Sequence, residues 1–341
     1  LGGEGARRGR RTTTVRVLVT GTRSLLGGRV AEALAARGDD VTVLQRRSSR
    51  LGLPEVLADV ADRSAVRAAV DGQDAVVHLA AKVGVTGTWT EFVHSNVTGT
   101  GVITQACRDL GVRSLVHVSS PSVAHAGSSL VGVGAAPADP DRARGHYARS
   151  KAMAEQIALA ADTGELAVTA IRPHLVWGPG DTQLVGRIVE RARVGRLPVL
   201  GSGAALVDST YLDNAVDAIV AALDRIEVTR GQALVVTNGE PRPIAELIAG
   251  ICTAAGVAPP RRRVPVSVGK LAGAGAEAVW SVRQAVGRPA ADDPPMTRFL
   301  AEQLSTAHWF DQRHTRAVLD WAPAVSLRSG LERLAEFYAA Y

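Results

Sequence analysis

A tyrosine and a lysine four residues apart, Tyr147 and Lys151 in HYARSK, are the residues of this chain that first suggest chemistry. The chain has 39 lysine and arginine residues among 341, yet only Lys82, Lys151 and Lys270 are lysines. Positions i and i+4 share one helix face, where an ammonium would lower the pKa of a phenol toward neutral pH and make it a usable general acid. The same spacing also occurs on ordinary surface helices, so it does not establish a function alone.

The composition predicts a folded protein with a large core, because 46% of the residues are hydrophobic and 21% are charged. The net charge of +6 is scattered, with short arginine-rich runs at 7–11, 46–47 and 261–263. Such scattering argues against nucleic-acid binding. The two cysteines, Cys107 and Cys252, cannot form a disulfide framework or a zinc site, and no metal-ligand spacing is present. We therefore expect a cytoplasmic protein without a metal site.

Two segments outside the regular pattern carry separate expectations. Residues 1–14 are rich in glycine and arginine and lack an apolar run, which predicts a disordered tail rather than a signal peptide. Residues 264–286 are apolar but too charged to span a bilayer, and Gly269, Gly273 and Gly275 argue against a rigid core helix. We expect this segment to form a mobile wall or lid over a substrate cleft, where it could contact a membrane or a partner enzyme. An ordinary domain helix is the alternative.

Apolar runs alternate with helical patterns along the first 180 residues. Strands are predicted at 15–21, 40–47, 55–60, 74–81, 114–120 and 166–178, and helices at 25–38, 62–72, 89–110 and 147–162. This alternation predicts an α/β fold with a Rossmann-type, doubly wound parallel sheet covered by helices on both faces. Glycine and proline then interrupt the pattern. We expect a nucleotide-binding domain over 15–180, with later strand and helix insertions, and a smaller, irregular substrate-binding region over 181–341.

The first predicted strand runs into a glycine turn, TGTRSLLG, that opens the first helix. Gly21 allows a tight turn, Gly27 allows close packing of helix on strand, and the free N–H groups of the helix start suit a pyrophosphate. Ser24 stands where the ideal dinucleotide pattern has its middle glycine, so the pattern leaves the pyrophosphate geometry open. Arg23, Ser24 and Leu25 are predicted to bind the cofactor together with the two glycines.

The end of the second strand predicts the choice of cofactor. An NAD site has a carboxylate there for the ribose 2′-hydroxyl, but this chain has Arg46 and Arg47 and no acid. Guanidinium groups suit a 2′-phosphate, which predicts NADP(H), with Arg23 as a third contact. The alternative is that these are solvated side chains of an arginine-rich protein. Asp59 and Val60, after the third strand, are predicted to meet the adenine.

The fifth strand ends in VSSPS at the carboxyl edge of the sheet, which would place Ser120 near the nicotinamide. The next predicted helix carries Tyr147 and Lys151. Reduction of a carbonyl needs a proton donor at oxygen while hydride arrives at carbon, and a phenol beside an ammonium supplies one. Together with the glycine turn, these residues favour catalysis over the surface-helix interpretation.

Several motifs resemble a known family. TGxxxxxG, HLAA, NVTGT, VSS, YxxxK and RPHLVWGPGD are similar to those of the extended short-chain dehydrogenases. STYLDNAVDA and FDQRHTRAVLDWAPAVSLRSGLERL resemble the 3β-hydroxysteroid dehydrogenase-like branch. SSPSV, RPHLVWGPGDTQLV, RARVGRLPVLG and DDPPMTRFLAEQLSTAHWFD resemble the 2-alkyl-3-oxoalkanoate reductases of bacterial olefin and β-lactone biosynthesis. The resemblance covers residues 15–338.

The resemblance implies that NADPH reduces the 3-keto group of a long-chain 2-alkyl-3-oxoalkanoic acid. Tyr147 would donate the proton, Lys151 would bind the nicotinamide ribose and tune Tyr147, and Ser120 would bind the substrate oxygen. Asn96 would help to order the active-site helices. The residues implied to line the nicotinamide are His78, Leu79, Ala80, Ala81, Pro173, His174 and Leu175. His174 could also meet a substrate carboxylate, with a structural role as the alternative.

Other functions stay open at this stage. A hydroxysteroid or sterol dehydrogenase and a nucleotide-sugar epimerase are the enzyme alternatives, although the apolar VPVSVGKLAGAGAEAVW favours a lipid-like substrate over a nucleotide diphosphate. An NADPH-sensing regulator is the non-enzyme alternative, but such proteins usually lose the tyrosine or the lysine. The expected partners are the lipid-like keto acid, other biosynthetic enzymes and a second copy of the chain in a homodimer, with peripheral membrane contact as a further option.

Overall fold

The structure of this chain is a computed structural model that describes residues 14–84, 87–125, 127–285 and 298–340. The predicted disordered tail, residues 1–14, lies outside the described residues except for Thr14. Val286, the last residue of the predicted wall or lid segment, lies outside them as well.

The described residues form strands and helices that alternate along the first half of the chain. The strands are β1 (Arg16–Thr20), β2 (Asp40–Gln45), β3 (Glu55–Leu57), β4 (Ala75–His78), β5 (Ser114–Val118), β6 (Leu130–Val133), β7 (Ala167–Pro173), β8 (Val176–Trp177), β9 (Val199–Leu200), β10 (Leu206–Val207), β11 (Thr210–Tyr211), β12 (Ala233–Val236), β13 (Arg242–Pro243), β14 (Arg263–Val264) and β15 (His308–Phe310). The helices are α1 (Leu25–Ala36), α2 (Arg63–Val70), α3 (Trp89–Phe92), α4 (Gly99–Asp109), α5 (Gly145–Leu159), α6 (Val185–Arg193), α7 (Leu212–Asp224), α8 (Ile226–Thr229), α9 (Ile244–Ala254), α10 (Val266–Ala285), α11 (Arg298–Ser305), α12 (Arg313–Leu319) and α13 (Leu327–Ala339). A π-helical segment, Val93–Thr98, joins α3 to α4, and a 3-10 turn, Pro121–Ala124, follows β5.

A seven-stranded sheet in the order β12-β7-β5-β4-β1-β2-β3 organises the fold. Every neighbouring pair in it is parallel. From β1 the chain adds strands first on one side and then on the other, so the order reverses between β1 and β4. In such sheets ligands bind at the carboxyl ends of the strands, in the crevice at this reversal. The predicted α/β fold class is confirmed.

The strands differ from the sequence prediction in two informative places. The predicted strand 166–178 is interrupted, because Leu175 has a left-handed backbone with φ 42°, and the following β8 pairs with β11 in a separate two-stranded sheet. The edge strand β12 is a later strand of the expected kind, although its position was not predicted, and it pairs with β7. Residues beyond 181 thus complete the nucleotide-binding sheet.

Strand alternation divides the core into two layers. Val17 and Val19 point to the cluster that α1 and α7 cover, whereas Leu18 points to the cluster that α2 and α4 cover. All three side chains are fully buried. Because both faces of the sheet are buried, the sequences of these strands are continuous apolar runs. A third cluster around Trp177, α6, α9 and α13 forms the core of the C-terminal region.

The segment predicted as a mobile wall or lid contains the continuous helix α10. Its glycines do not prevent helix formation, and at Gly269 a Cβ would lie 2.9 Å from Leu200 Cδ2, so glycine permits close packing there. Val268, Leu271 and Val279 are exposed on this helix. No helix of the described residues is long and apolar enough to cross a membrane.

A buried ion pair fastens α5 to β7. Arg172 donates from Nε to Glu155 Oε2 at 2.8 Å and from Nη1 to the carbonyl of Ala136 at 2.7 Å. Both charged side chains are only 1% exposed. Because α5 also carries Tyr147 and Lys151, this pair fixes the helix that bears them against the sheet.

We predict that Arg172→Met strongly destabilises the fold, because it leaves the Glu155 carboxylate buried without its partner. Removal of one member of a buried pair costs about 3–5 kcal/mol in the free energy of unfolding, which chemical denaturation would measure. Arg313→Met is the matched control, since Arg313 pairs with Asp311 but is 91% exposed, and such pairs contribute at most about 1 kcal/mol. Equal losses in the two variants would contradict the prediction.

Candidate active site

A cavity of about 1020 Å³ opens at the carboxyl ends of β1, β2, β4, β5 and β7. The predicted site residues on its wall are Gly21, Arg23, Ser24, Leu25, Arg46, Arg47, Asp59, Val60, Leu79, Ala80, Ala81, Ser120, Tyr147, Lys151, Pro173 and Leu175. Gly27, Asn96, His78 and His174 are predicted site residues that do not line it. The sheet thus brings together residues from five separate strand ends.

The glycine turn is shaped by close backbone approach. Gly21 has φ 77°, and a Cβ there would lie 2.6 Å from the amide nitrogen of Ala80. A Cβ on Gly27 would lie 2.5 Å from the Gly21 carbonyl oxygen. Ser24 caps α1: its Oγ accepts from the Gly27 amide at 3.1 Å and donates to the Gly21 carbonyl at 2.9 Å. The serine therefore closes the turn with side-chain bonds, and the cradle fits a pyrophosphate at the start of α1.

Two arginines follow the end of β2, and the carboxylate of Glu55 on the neighbouring strand is engaged in hydrogen bonds. Arg46 and Arg47 are exposed on the cavity wall. Glu55, on the neighbouring β3, accepts from Gln45 Nε2 at 2.6 Å and from the Ser49 amide at 2.7 Å. The hydrogen bonds from Ser49 hold the pKa of Glu55 at about 2. This carboxylate faces Gln45 and Ser49 and does not line the cavity.

Ser120, Tyr147 and Lys151 lie on the same cavity wall. The expected lowering of the Tyr147 pKa is not what this structure shows: burial raises that pKa, and the Ser120 hydroxyl offsets only part of the rise. The Lys151 ammonium does not offset this rise, because it is directed at the Val118 carbonyl, to which it donates at 2.7 Å. Burial also lowers the pKa of Lys151 to about 8, against an opposing effect of Glu155.

Asn96 lies beneath the cavity wall and links three elements. Its Oδ1 accepts from the Lys82 amide at 2.7 Å, and its Nδ2 donates to the Lys82 carbonyl at 3.1 Å and to Ser150 Oγ at 2.9 Å. The side chain is 1% exposed. Asn96 thus ties the loop after β4 to α5, in the manner expected of a residue that orders the active-site helices. The π-helical backbone around it carries no sequence signal.

His174 and His78 correct two sequence expectations. Pro173 and Leu175 line the cavity, whereas the intervening His174 does not. Its ring packs against Phe310 at 5.2 Å and His308 at 5.9 Å between centroids. His78 is 1% exposed and bonds to threonines beneath the sheet edge rather than lining the nicotinamide site.

Two residues of the site were missed from the sequence. Ser119 lies on the cavity wall with a buried Oγ that has no hydrogen-bond partner among the described residues. His117 lies beneath the wall, where its Nε2 is 3.4 Å from Lys151 Nζ. The position of His117 one residue before the end of β5 was the available signal, because it places the ring on the side of the sheet from which Lys151 of α5 approaches.

A Rossmann-type sheet, a glycine turn and a tyrosine–lysine pair on one cavity define a nicotinamide-dependent oxidoreductase that acts on CH–OH groups. The model of the NAD dependent epimerase/dehydratase family matches residues 17–236. The chain belongs to this family, within the extended short-chain dehydrogenases.

Individual proteins are similar over nearly the whole chain. A 2-alkyl-3-oxoalkanoate reductase of Stenotrophomonas maltophilia is 39% identical, covering 96% of this chain and 100% of the relative. A protein of the same name from Shewanella oneidensis is 34% identical over 93% of this chain and 84% of the relative. The solved structure of MoeE5 in complex with UDP-glucose and NAD has a TM-score of 0.70 and 26% identity, covering 95% of this chain and 99% of that one.

The buried histidines predict a specific loss of stability in acid. Burial lowers the pKa values of His78 and His174 to about 3 and that of His308 to about 4. An unfolded histidine titrates near pH 6.5, so below that pH the unfolded chain binds more protons than the fold. Stability is therefore complete above about pH 6.5 and falls as pH decreases toward 4, by about 1.4 kcal/mol per pH unit for each such histidine.

Denaturation at pH 7, 6, 5 and 4 tests this prediction. His174→Met should reduce the slope of the unfolding free energy against pH by about 1.4 kcal/mol per pH unit, the contribution of one histidine. His314→Asn is the control, since His314 is exposed on α12, and its slope should match that of the unchanged protein. A His174→Met slope equal to that of the control would contradict the assignment.

Proposed function

We propose that this enzyme is an NADPH-dependent ketoreductase. It reduces the 3-keto group of a long-chain 2-alkyl-3-oxoalkanoic acid to the 3-hydroxy acid, a precursor of a β-lactone or an olefin. The observation that carries the proposal is the shared cavity wall of Ser120, Tyr147 and Lys151 beside the glycine turn. The names of the two similar reductases support the substrate class.

The proposed mechanism assigns one role to each of these side chains. The Ser120 and Tyr147 hydroxyls bind the keto oxygen, and Tyr147 transfers its proton to that oxygen. When bound, the cofactor supplies the hydride to the carbonyl carbon. Lys151 is an ammonium on the wall and binds the nicotinamide ribose. Asn96 keeps α5 and the loop after β4 in place, so it acts through the others.

The raised pKa of Tyr147 suits reduction. Burial keeps the phenol protonated at neutral pH, which is the state that a proton donor needs. The alkoxide that forms as hydride reaches the carbonyl is far more basic than a phenolate, so proton transfer from the phenol is downhill at that stage. Oxidation in the reverse direction would require the phenolate, which this environment disfavours. The phenol is therefore in the protonation state that reduction requires.

NADPH is the proposed cofactor because the end of β2 offers arginines to the 2′-phosphate and carries no carboxylate of its own. Arg23, Arg46 and Arg47 share the cavity wall, and all three are exposed. Glu55, on the neighbouring β3, is held by Gln45 and Ser49. A guanidinium group binds a phosphate through paired, charge-assisted hydrogen bonds.

Turnover assays test the proposed substrate directly. NADPH oxidation followed at 340 nm should be fastest with a 2-alkyl-3-oxo acid, and its KM should fall as the alkyl chains lengthen, because each buried CH₂ contributes about 0.8 kcal/mol. A 3-ketosteroid and a UDP-sugar are the comparison substrates. Faster turnover of the steroid, or epimerisation of the sugar, would overturn the proposed substrate class while leaving the reaction class intact.

Tyr147→Phe should lower kcat by at least about a hundredfold, since general-acid groups contribute about 10²–10⁴. The binding of NADPH, measured by fluorescence, should change little because the ring is retained. Tyr338→Phe is the control, because Tyr338 packs against the C-terminal core and does not line the cavity, and it should keep full activity. A Tyr147→Phe enzyme within threefold of the unchanged enzyme would refute the assigned role.

Replacement of Arg46 and Arg47 together by alanine should lower the preference for NADPH over NADH by at least about tenfold, because each charge-assisted contact contributes about 1.5–3 kcal/mol. The preference is the ratio of kcat/KM for the two cofactors. Arg63→Ala, an exposed arginine on α2 outside the cavity wall, should leave it unchanged. An unchanged enzyme that uses NADH as well as NADPH would show that these arginines do not select the cofactor.

A further inference from the structure

We propose that His117 is a positioning residue for Lys151. Its neutral imidazole accepts a hydrogen bond from the buried ammonium, keeps that lysine charged and holds it on the cavity wall. The proposal concerns a residue beneath the site, which touches neither the substrate nor the cofactor position. Its effect on turnover rests on the proposed ketoreductase function, whereas its effect on Lys151 does not.

His117 belongs to a polar row that crosses three strands at one level. Thr20 on β1 is in register with His78 on β4, and His78 is in register with His117 on β5. All three side chains are at most 1% exposed. Side chains at one level of adjacent strands share a face of the sheet. The row therefore lies beneath the carboxyl edge, where Thr100 of α4 meets His78 and Lys151 of α5 meets His117.

The hydrogen bonds fix the tautomer of His78. Thr100 Oγ1 donates to the Asn96 carbonyl at 2.6 Å, so it accepts from His78 Nε2 at 3.1 Å. His78 Nδ1 is then the acceptor for the Thr20 hydroxyl, whose oxygen in turn accepts from the Ala80 amide at 3.0 Å. His78 is thus neutral and fully bonded, and it has no free nitrogen for Lys151.

His117 differs from His78 because only one side of its ring meets a polar group. Its Nδ1 has no partner among the described residues, and its Nε2 faces Lys151 Nζ at 3.4 Å. Burial, with Lys151 close by, keeps the pKa of His117 well below its ordinary value, so the ring is neutral. If Nε2 carried a proton, it would be a donor facing the Lys151 ammonium, which is also a donor. The proton therefore sits on Nδ1, and Nε2 accepts from the ammonium.

The surroundings of Lys151 make this acceptor important. The lysine is 3% exposed, and burial is the main reason that its pKa is lowered to about 8. Glu155 on the same helix opposes that effect, but its carboxylate is engaged by Arg172 of β7. An ammonium has three N–H donors. The Val118 carbonyl takes one and His117 a second, which leaves the third for a ligand in the cavity.

The titratable and charged groups that face Lys151 are few. They are His117 on β5, His78 on β4, Glu155 and Tyr147 on α5 itself, and Arg172 behind Glu155. The two histidines are neutral, and the Glu155–Arg172 pair is internally compensated. Loss of the His117 acceptor would therefore make Lys151 release its proton at lower pH, and the alkaline limit of activity would move down with it.

Lysine NMR provides a readout that does not require turnover. With only three lysines in the chain, ¹³Cε-lysine labelling gives a spectrum in which Lys151 can be assigned by its loss in Lys151→Met. Lys82 and Lys270 serve as internal controls, because Lys82 pairs with Glu91 and Lys270 is exposed on α10. In the unchanged protein we expect the Lys151 resonance to titrate near pH 8.

Three substitutions of His117 separate an acceptor role from simple packing. His117→Leu and His117→Asn remove an acceptor at the Nε2 position and should lower the Lys151 titration midpoint by about one pH unit. His117→Gln places its amide oxygen near the old Nε2 and should restore at least half of that shift. The asparagine variant keeps the test available if leucine impairs folding. The alkaline limb of kcat/KM should follow the same order.

The Lys151 titration midpoints of these variants decide whether His117 acts as an acceptor. A Lys151 midpoint in His117→Asn or His117→Leu equal to that of the unchanged protein would overturn the proposal. Equal shifts in the glutamine and asparagine variants would also overturn it, because packing rather than the acceptor would then be responsible. If the unchanged enzyme fails to reduce any keto acid, the proposed function is wrong, while the lysine titration still tests His117 independently.

Discussion

The burial of an ammonium at the edge of a sheet is the constraint on which the rest of this site depends. Lys151 is almost fully buried, and a buried charge is tolerated only where its donors are bonded and its field is balanced. The Val118 carbonyl and His117 provide the acceptors, and Glu155 provides the opposite charge. Glu155 in turn requires Arg172. Lys151 thus accounts for buried polar residues on three separate elements, which are His117 on β5, Glu155 on α5 and Arg172 on β7.

At the nucleotide end of the cavity the constraint is different, because segments of backbone pass too close to one another for side chains to fit between them. Gly21 leaves no space for a Cβ against Ala80, and Gly27 leaves none against the Gly21 carbonyl. Ser24 is tolerated in place of a glycine because it lies at the N-cap of α1, where its hydroxyl replaces missing backbone partners. The departure from the ideal glycine pattern is therefore compatible with a phosphate-binding turn, since the two positions without space keep their glycines.

Local patterns predicted the parts of this protein that depend on neighbours in sequence. The buried strands, the glycine turn and the Tyr147–Lys151 spacing follow from periodicity and short motifs. The parts set by tertiary contacts could not be placed from the sequence: a later strand was expected, but β12 is located only by its pairing with β7, and His174 lies off the cavity wall beside the left-handed backbone of Leu175. The glycines of α10 argued against a rigid core helix, yet the helix is continuous and Gly269 packs closely on Leu200.

The same strand β12 joins the C-terminal region to the nucleotide-binding sheet. It leads into Asn238, which accepts from Asn214 Nδ2 at 2.9 Å and donates to the Val325 carbonyl at 2.9 Å. Thr210 Oγ1, within hydrogen-bond distance of the carbonyls of both His174 and Val236, anchors the turn that carries Leu175. Because Leu175 lines the cavity, these buried hydrogen bonds connect the C-terminal region to the cavity wall.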